Sequence, residues 1–124
     1  MDDEGSVFIF MTSGPETPQR CATPFYMANI AAVMDSEVKI VFQIDGVLLA
    51  KKGIADNLMA LEGGKLIIDF LKEAKEAGVE LYCCSAALDL HNMTKDDLID
   101  EIDDVVGAAW MMDEALQADV VLNY

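Results

Sequence analysis

Two hydrophobic periodicities alternate along the chain. Residues 6–11, Ser-Val-Phe-Ile-Phe-Met, form a β-branched and aromatic run that stops at Thr12, Ser13, Gly14 and Pro15, the pattern of a buried strand entering a loop. Glu37 to Ile44 predicts a second strand, closed by the turn pair Asp45-Gly46. Val79 to Cys84 predicts a third that stops at Ser85, and Val105-Val106 and Asp119 to Asn123 predict two more. Between these runs the period lengthens. Thr17 before Pro18 and Thr23 before Pro24 each offer an N-cap with proline at the first helical position. Phe25 to Met34 is apolar around most of its surface, which predicts a largely buried helix whose body starts near Pro24.

Lys65 to Ala77 sets Leu66, Ile67, Phe70, Leu71 and Ala74 on one stripe, opposite Lys72, Glu73, Lys75 and Glu76, with Gly78 as C-cap. Thr94 predicts a further helix start, its hydroxyl capping the amide near Asp97 and Met93 stapled against Leu98. The acids crowded between Asp96 and Asp104 then form the solvated face of that helix, since Leu98, Ile99, Ile102 and Val105 keep the other face apolar. Trp110 to Gln117 predicts a short helix before the last strand.

Strands alternating with helices give an α/β class: one domain over residues 1–124, with a mostly parallel five-stranded sheet and helices on both faces, a flavodoxin-like three-layer arrangement reached through right-handed crossovers. In such sheets ligands gather outside the carboxyl ends of the strands. Residues 47–64, of mixed character, are expected to form a lid or an oligomer contact.

Composition narrows the function. With 53% apolar residues and 3 prolines the chain is not disordered, and its longest apolar run, Val105 to Met112, is far too short for a membrane span. The acidic start Met-Asp-Asp-Glu is the reverse of a signal peptide, so a soluble, cytoplasmic protein with reduced thiols is expected. A formal charge of −15 repels phosphate backbones and anionic lipid, which argues against nucleic acid or a membrane as partner. Cys21, Cys83 and Cys84 contain no CxxC pair and fit neither a disulfide framework nor a zinc site. His91, the single histidine, has no second histidine to complete a metal set, so no metal and no cofactor are expected.

The carboxyl edge brings the remaining chemistry together. The first strand delivers Thr12, Ser13, Arg20 and Cys21, the second Asp45, Lys51 and Lys52, and the third Cys84, Ser85 and His91. Cys84, at the end of an interior strand, has the address of a nucleophilic thiol, whereas Cys83 points to the opposite face and packs in the core. Arg20, Lys51, Lys52 and Ser85 are candidates to hold an anionic substrate beside Cys84, and Cys21 and His91 are possible accessories. Against this stands free cysteine as a small buried hydrophobe, a lone loop histidine as ordinary surface, and the lysines as solubilising charges.

Five segments in matching order carry a resemblance: Arg20-Cys-Ala-Thr-Pro-Phe-Tyr-Met-Ala-Asn29, Phe42-Gln-Ile-Asp-Gly-Val-Leu-Leu-Ala-Lys-Lys-Gly53, Leu81-Tyr-Cys-Cys-Ser85, Thr94-Lys-Asp-Asp-Leu-Ile-Asp100 and Val105-Val-Gly-Ala-Ala109. From Val7 to Tyr124 the chain resembles the DsrE/DsrF-like sulfur-relay proteins (the DsrE, DsrF, DsrH and TusD-like group). The resemblance implies a small α/β domain assembling as homo- or hetero-oligomers, commonly trimers or hexamers. It also implies a sulfurtransferase-like carrier that accepts sulfane sulfur as a persulfide at the position of Cys84. Sulfur-donor and sulfur-acceptor proteins, or small anionic sulfur compounds, would be its partners. Cys21 and Cys83 depart from the family pattern.

Two other readings compete. A flavin or nucleotide protein of flavodoxin type would use Thr12-Ser13-Gly14 as a phosphate loop, but that loop is not glycine-rich and its prolines remove amide donors. A non-catalytic assembly or regulatory subunit with an inert thiol would use the methionines, Trp110 and the 105–112 run as an interface.

Overall fold

The computed structural model describes residues 5–124; the acidic start at residues 1–4 lies outside them. Five strands, β1 (Ser6–Met11), β2 (Glu37–Phe42), β3 (Glu80–Cys84), β4 (Asp104–Val106) and β5 (Val120–Asn123), pair in the order β4-β3-β2-β1-β5. Every pairing is parallel, so each connection must cross over a face of the sheet. The described residues form four α-helices: α1 (Thr23–Val33), α2 (Ile67–Glu76), α3 (Ser85–Leu90) and α4 (Ala108–Gln117).

Strand alternation assigns the faces. Phe42 is in register with Met11 and with Cys83, and its ring lies 6.1 Å from that of Phe25 in α1. Ile9, Met11, Ile40, Phe42, Leu81 and Cys83 therefore share the face covered by α1, and α2 packs on α1. Phe8 and Tyr82 turn the other way, with ring centroids 6.1 Å and 4.6 Å from Trp110 of α4. Helices thus cover both faces, and Ile9, Met11, Ile40, Val41 and Phe42 are fully sealed between them.

The amphipathic stripe of α2 behaves as its spacing predicts: Ile67, Leu71 and Ala74 are buried, Gly78 turns the chain at φ +96°, and the Val79 amide donates to the Ala74 carbonyl. Four expectations are corrected. The second strand ends at Phe42 rather than Ile44, because Ile44–Ala50 winds into 3-10 turns that bury Val47, Leu49 and Ala50. Within residues 47–64, Val47, Leu49, Ala50 and Ala55 belong to the core, whereas Lys52, Gly53, Asp56, Asn57, Met59 and residues 61–64 are exposed. Only a single 3-10 turn, Lys95–Asp97, follows Thr94. Its capping box is present, with the Thr94 amide donating to Asp97 Oδ2 at 2.8 Å, and Met93 and Leu98 are buried. The acids between Asp96 and Asp104 therefore occupy loop and strand-edge positions rather than one helix face; Asp103 accepts from the Leu81 amide and pairs with Lys75. Finally, α1 is not largely buried. Its N-cap is Ala22 with no side-chain cap, it buries only Pro24, Phe25 and Ala28, and it leaves Tyr26, Met27, Ile30 and Val33 exposed, with Met34 exposed just beyond it.

Candidate functional site at the carboxyl edge

Three thiols meet three different environments. Cys21 is sealed; its Sγ donates to the Gly14 carbonyl at 3.3 Å, and burial pushes its pKa up to about 11. Cys83 is sealed on the α1 face, where burial, reinforced by its neighbour Cys84, pushes it up to about 12. Cys84 takes the other face. It ends β3, immediately precedes α3, and keeps 8% of its surface in contact with solvent.

That opening is a shallow pocket of about 250 Å³ lined by Gln43, Ile44, Cys84, Ala86, Ala87 and Leu90. The turn leaving β2 supplies Gln43 and Ile44, the end of β3 supplies Cys84, and α3 supplies Ala86, Ala87 and Leu90. Gln43 Nε2 reaches Met111 Sδ of α4 at 3.5 Å, which fixes this wall. Ile44 has φ +53°, a left-handed conformation that crowds a β-branched side chain. Its side chain nevertheless stays half exposed, as does that of Leu90, so an apolar rim surrounds the thiol.

The close approach of two loops holds this turn. A Cβ on Gly46 would lie 2.1 Å from the Met11 carbonyl oxygen, and one on Gly14 would lie 2.5 Å from the Asp45 carbonyl oxygen. Only glycine lets the loops after β1 and β2 touch there. The pair Asp45-Gly46 thus marks a contact between loops as well as the end of a strand.

None of the cations lines the Cys84 pocket. Lys51 sits in an antiparallel bridge with Leu98, and Lys52 Nζ donates to the Asp96 carbonyl at 2.9 Å, which ties both to the loop before β4. Arg20 Nε donates to Ser13 Oγ at 3.2 Å. Ser85 is exposed at the start of α3 and does not line the pocket. His91, just past α3, lines a second basin of about 590 Å³ together with Ser13, Arg20 and Asp45. The edge expected to be one site is therefore divided. Ile44 faces the thiol pocket and its neighbour Asp45 faces the second basin. Ile44, Gln43 and Leu90 were not legible as site residues, because no local signal distinguishes them from core and turn positions.

The model of the DsrE/DsrF-like family matches residues 5–124. The chain belongs to the DsrE/DsrF-like family. Among solved structures, the ychN protein of E. coli superposes with a TM-score of 0.79 at 16% identity, covering 98% of this chain and all of the other. A protein of unknown function from Methanobacterium thermoautotrophicum superposes at 0.63 and 18% identity, covering 97% of this chain and 99% of its own. Both likenesses show the fold that the DsrE/DsrF-like chain adopts. An uncharacterized protein of Methanocaldococcus jannaschii is 28% identical over 92 residues, 74% of this chain and 33% of that protein. The present chain thus matches about a third of that relative's length. Among the described residues, no helix of this DsrE/DsrF-like chain is long and apolar enough to cross a membrane.

Proposed function

We propose that the protein is a sulfur carrier that holds sulfane sulfur as a persulfide on Cys84 and passes it to a partner protein. The observation that carries this reading is the contrast among the thiols: Cys84 alone lines a solvent-open pocket, while Cys21 and Cys83 are sealed and held protonated. Family membership supports it.

The chemistry needs no cofactor. The Cys84 thiolate attacks the outer sulfur of a donor persulfide, a new S–S bond forms, the donor's own S–S bond breaks, and the donor thiolate leaves. An acceptor thiolate then takes the outer sulfur from Cys84 by the same displacement, which regenerates the thiolate without net oxidation. The absence of Arg20, Lys51 and Lys52 from the pocket, and its rim of Ile44 and Leu90, favour a protein-borne donor and acceptor over free anionic sulfur compounds. The exposed apolar flank of α1, from Tyr26 to Met34, supports self-association of the chain.

Intact-mass spectrometry after incubation with a persulfidated donor tests the reading, since each added sulfur is a step of about 32 Da on a thiol. One such step, absent in Cys84→Ser, is expected; loading of Cys84→Ser to the same extent would defeat the proposal. A pocket that never alkylates or loads would favour the non-catalytic subunit.

A further inference from the structure

The basin beside the thiol pocket has its own chemistry. Its walls come from the loop after β1, the turn after β2 and the end of α3, and its volume of about 590 Å³ exceeds that of the Cys84 pocket. Arg20, Asp45, Glu16 and His91 all line it. Opposite charges that share a basin ordinarily close into ion pairs, but among the described residues Arg20 pairs with no carboxylate. The guanidinium is instead held back by Ser13 Oγ through Nε, which leaves its terminal nitrogens free. Asp45 Oδ1 lies 3.2 Å from His91 Nε2, and that buried nitrogen makes no aligned hydrogen bond. Most of the hydroxyls are already used: Thr12 donates to the Tyr124 carbonyl and Thr17 to the Gly14 carbonyl. Ser13, which accepts from Arg20, retains its proton to donate.

We infer that this basin binds a small zwitterion of the α-amino-acid class. The ligand carboxylate is received by the free Arg20 nitrogens and the Ser13 hydroxyl, and its ammonium by the Asp45 and Glu16 carboxylates. A simple anion would meet two carboxylates and the field of a chain of net charge −15. A simple cation would leave the free Arg20 nitrogens unmatched. A ligand bearing both charges answers each wall. The basin is preformed, because the contacts of Gly14 with Asp45 and of Gly46 with Met11 lock its two loops together, so binding costs little reorganisation. The site is separate from Cys84, which lines the neighbouring pocket.

The test is titration of the full-length protein, and of Cys84→Ser, with L-alanine, acetate, ethylammonium and sulfate, following backbone amide resonances. L-alanine is expected to shift Ser13, Arg20, Asp45 and His91 saturably at millimolar concentration, equally in both proteins. Acetate, ethylammonium and sulfate should bind at least about tenfold more weakly, and Arg20→Gln and Asp45→Asn should each weaken L-alanine about tenfold, the equivalent of one charge-assisted hydrogen bond. The four-ligand comparison on the unsubstituted protein stands even if a variant folds poorly. Sulfate binding as well as L-alanine, ethylammonium doing so, or no saturable shift with any ligand would each overturn the assignment. Sulfur loading of Cys84 is not involved, so either proposal survives failure of the other.

Discussion

Cys83 and Cys84 are consecutive in β3, yet the sheet separates them completely. Cys83 shares the α1 face with Phe42 and has no solvent contact, whereas Cys84 opens between Gln43, Ile44 and Leu90. Alternation of the strand makes one thiol structural and leaves the other available.

Alkylation should read this difference directly. Brief treatment of the folded protein with iodoacetamide near neutral pH is expected to modify one cysteine, Cys84 by peptide mapping, and none in Cys84→Ser. Modification of Cys83 at a comparable rate would contradict the burial argument. Cys83→Ser should instead cost about 1–3 kcal/mol in urea unfolding, by placing a hydroxyl in an apolar layer.

Alkaline pH should weaken the fold. Burial raises the thiols of Cys83 to about 12 and Cys21 to about 11, and raises the Tyr82 hydroxyl through burial and its hydrogen bond to Glu80. Each folded-state pKa lies above its unfolded value, so the folded state binds more protons at high pH. Their contribution is complete below about pH 9 and is lost as pH rises toward 11 and 12. A melting temperature that falls across this window, and falls less steeply in Cys83→Ala, is the expected outcome; a flat profile above pH 9 would be inconsistent with it.

Gly46→Ala is expected to destabilise the protein by about 3 kcal/mol, since its Cβ would meet the backbone oxygen of Met11 rather than a movable side chain. Chemical denaturation checks this, and a change within experimental error would mean that the two loops separate freely.

Ile44 gives the opposite expectation. Asparagine tolerates the left-handed conformation better than a β-branched residue, and the Ile44 side chain is already half exposed. Ile44→Asn should therefore raise stability by about 1 kcal/mol while increasing the alkylation rate of Cys84. A drop in stability, or an unchanged rate, would show that Ile44 neither stores strain nor screens the thiol.

Self-association should depend on α1. Light scattering is expected to give a mass above one chain for the unsubstituted protein, and Val33→Glu with Met34→Glu, both strongly exposed, should reduce it without unfolding the domain. A monomer at micromolar concentration would remove this expectation.

The sequence by itself determined the elements whose signal is local. The runs at 6–11 and 79–84, the stripe of α2 and the glycine after it all carry their own periodicity or cap, and the end of the third strand at Cys84 followed from Ser85 alone. It did not reveal α3, because six residues opening directly from a strand, with no capping side chain, leave no periodic signature. It overextended the helix after Thr94, since a capping box specifies a first turn while tertiary bonds, such as the Ile99 amide to the Ala50 carbonyl, decide whether a second follows. It hid the exposure of α1, because an apolar circumference does not say which side finds a neighbour. The division of the carboxyl edge was decided only by tertiary structure. Strand order and the contact between the Gly14 loop and the Asp45 turn place Ile44 beside Cys84, Asp45 beside His91, and the lysines away from both, and such juxtapositions depend on crossovers that no stretch of local sequence encodes.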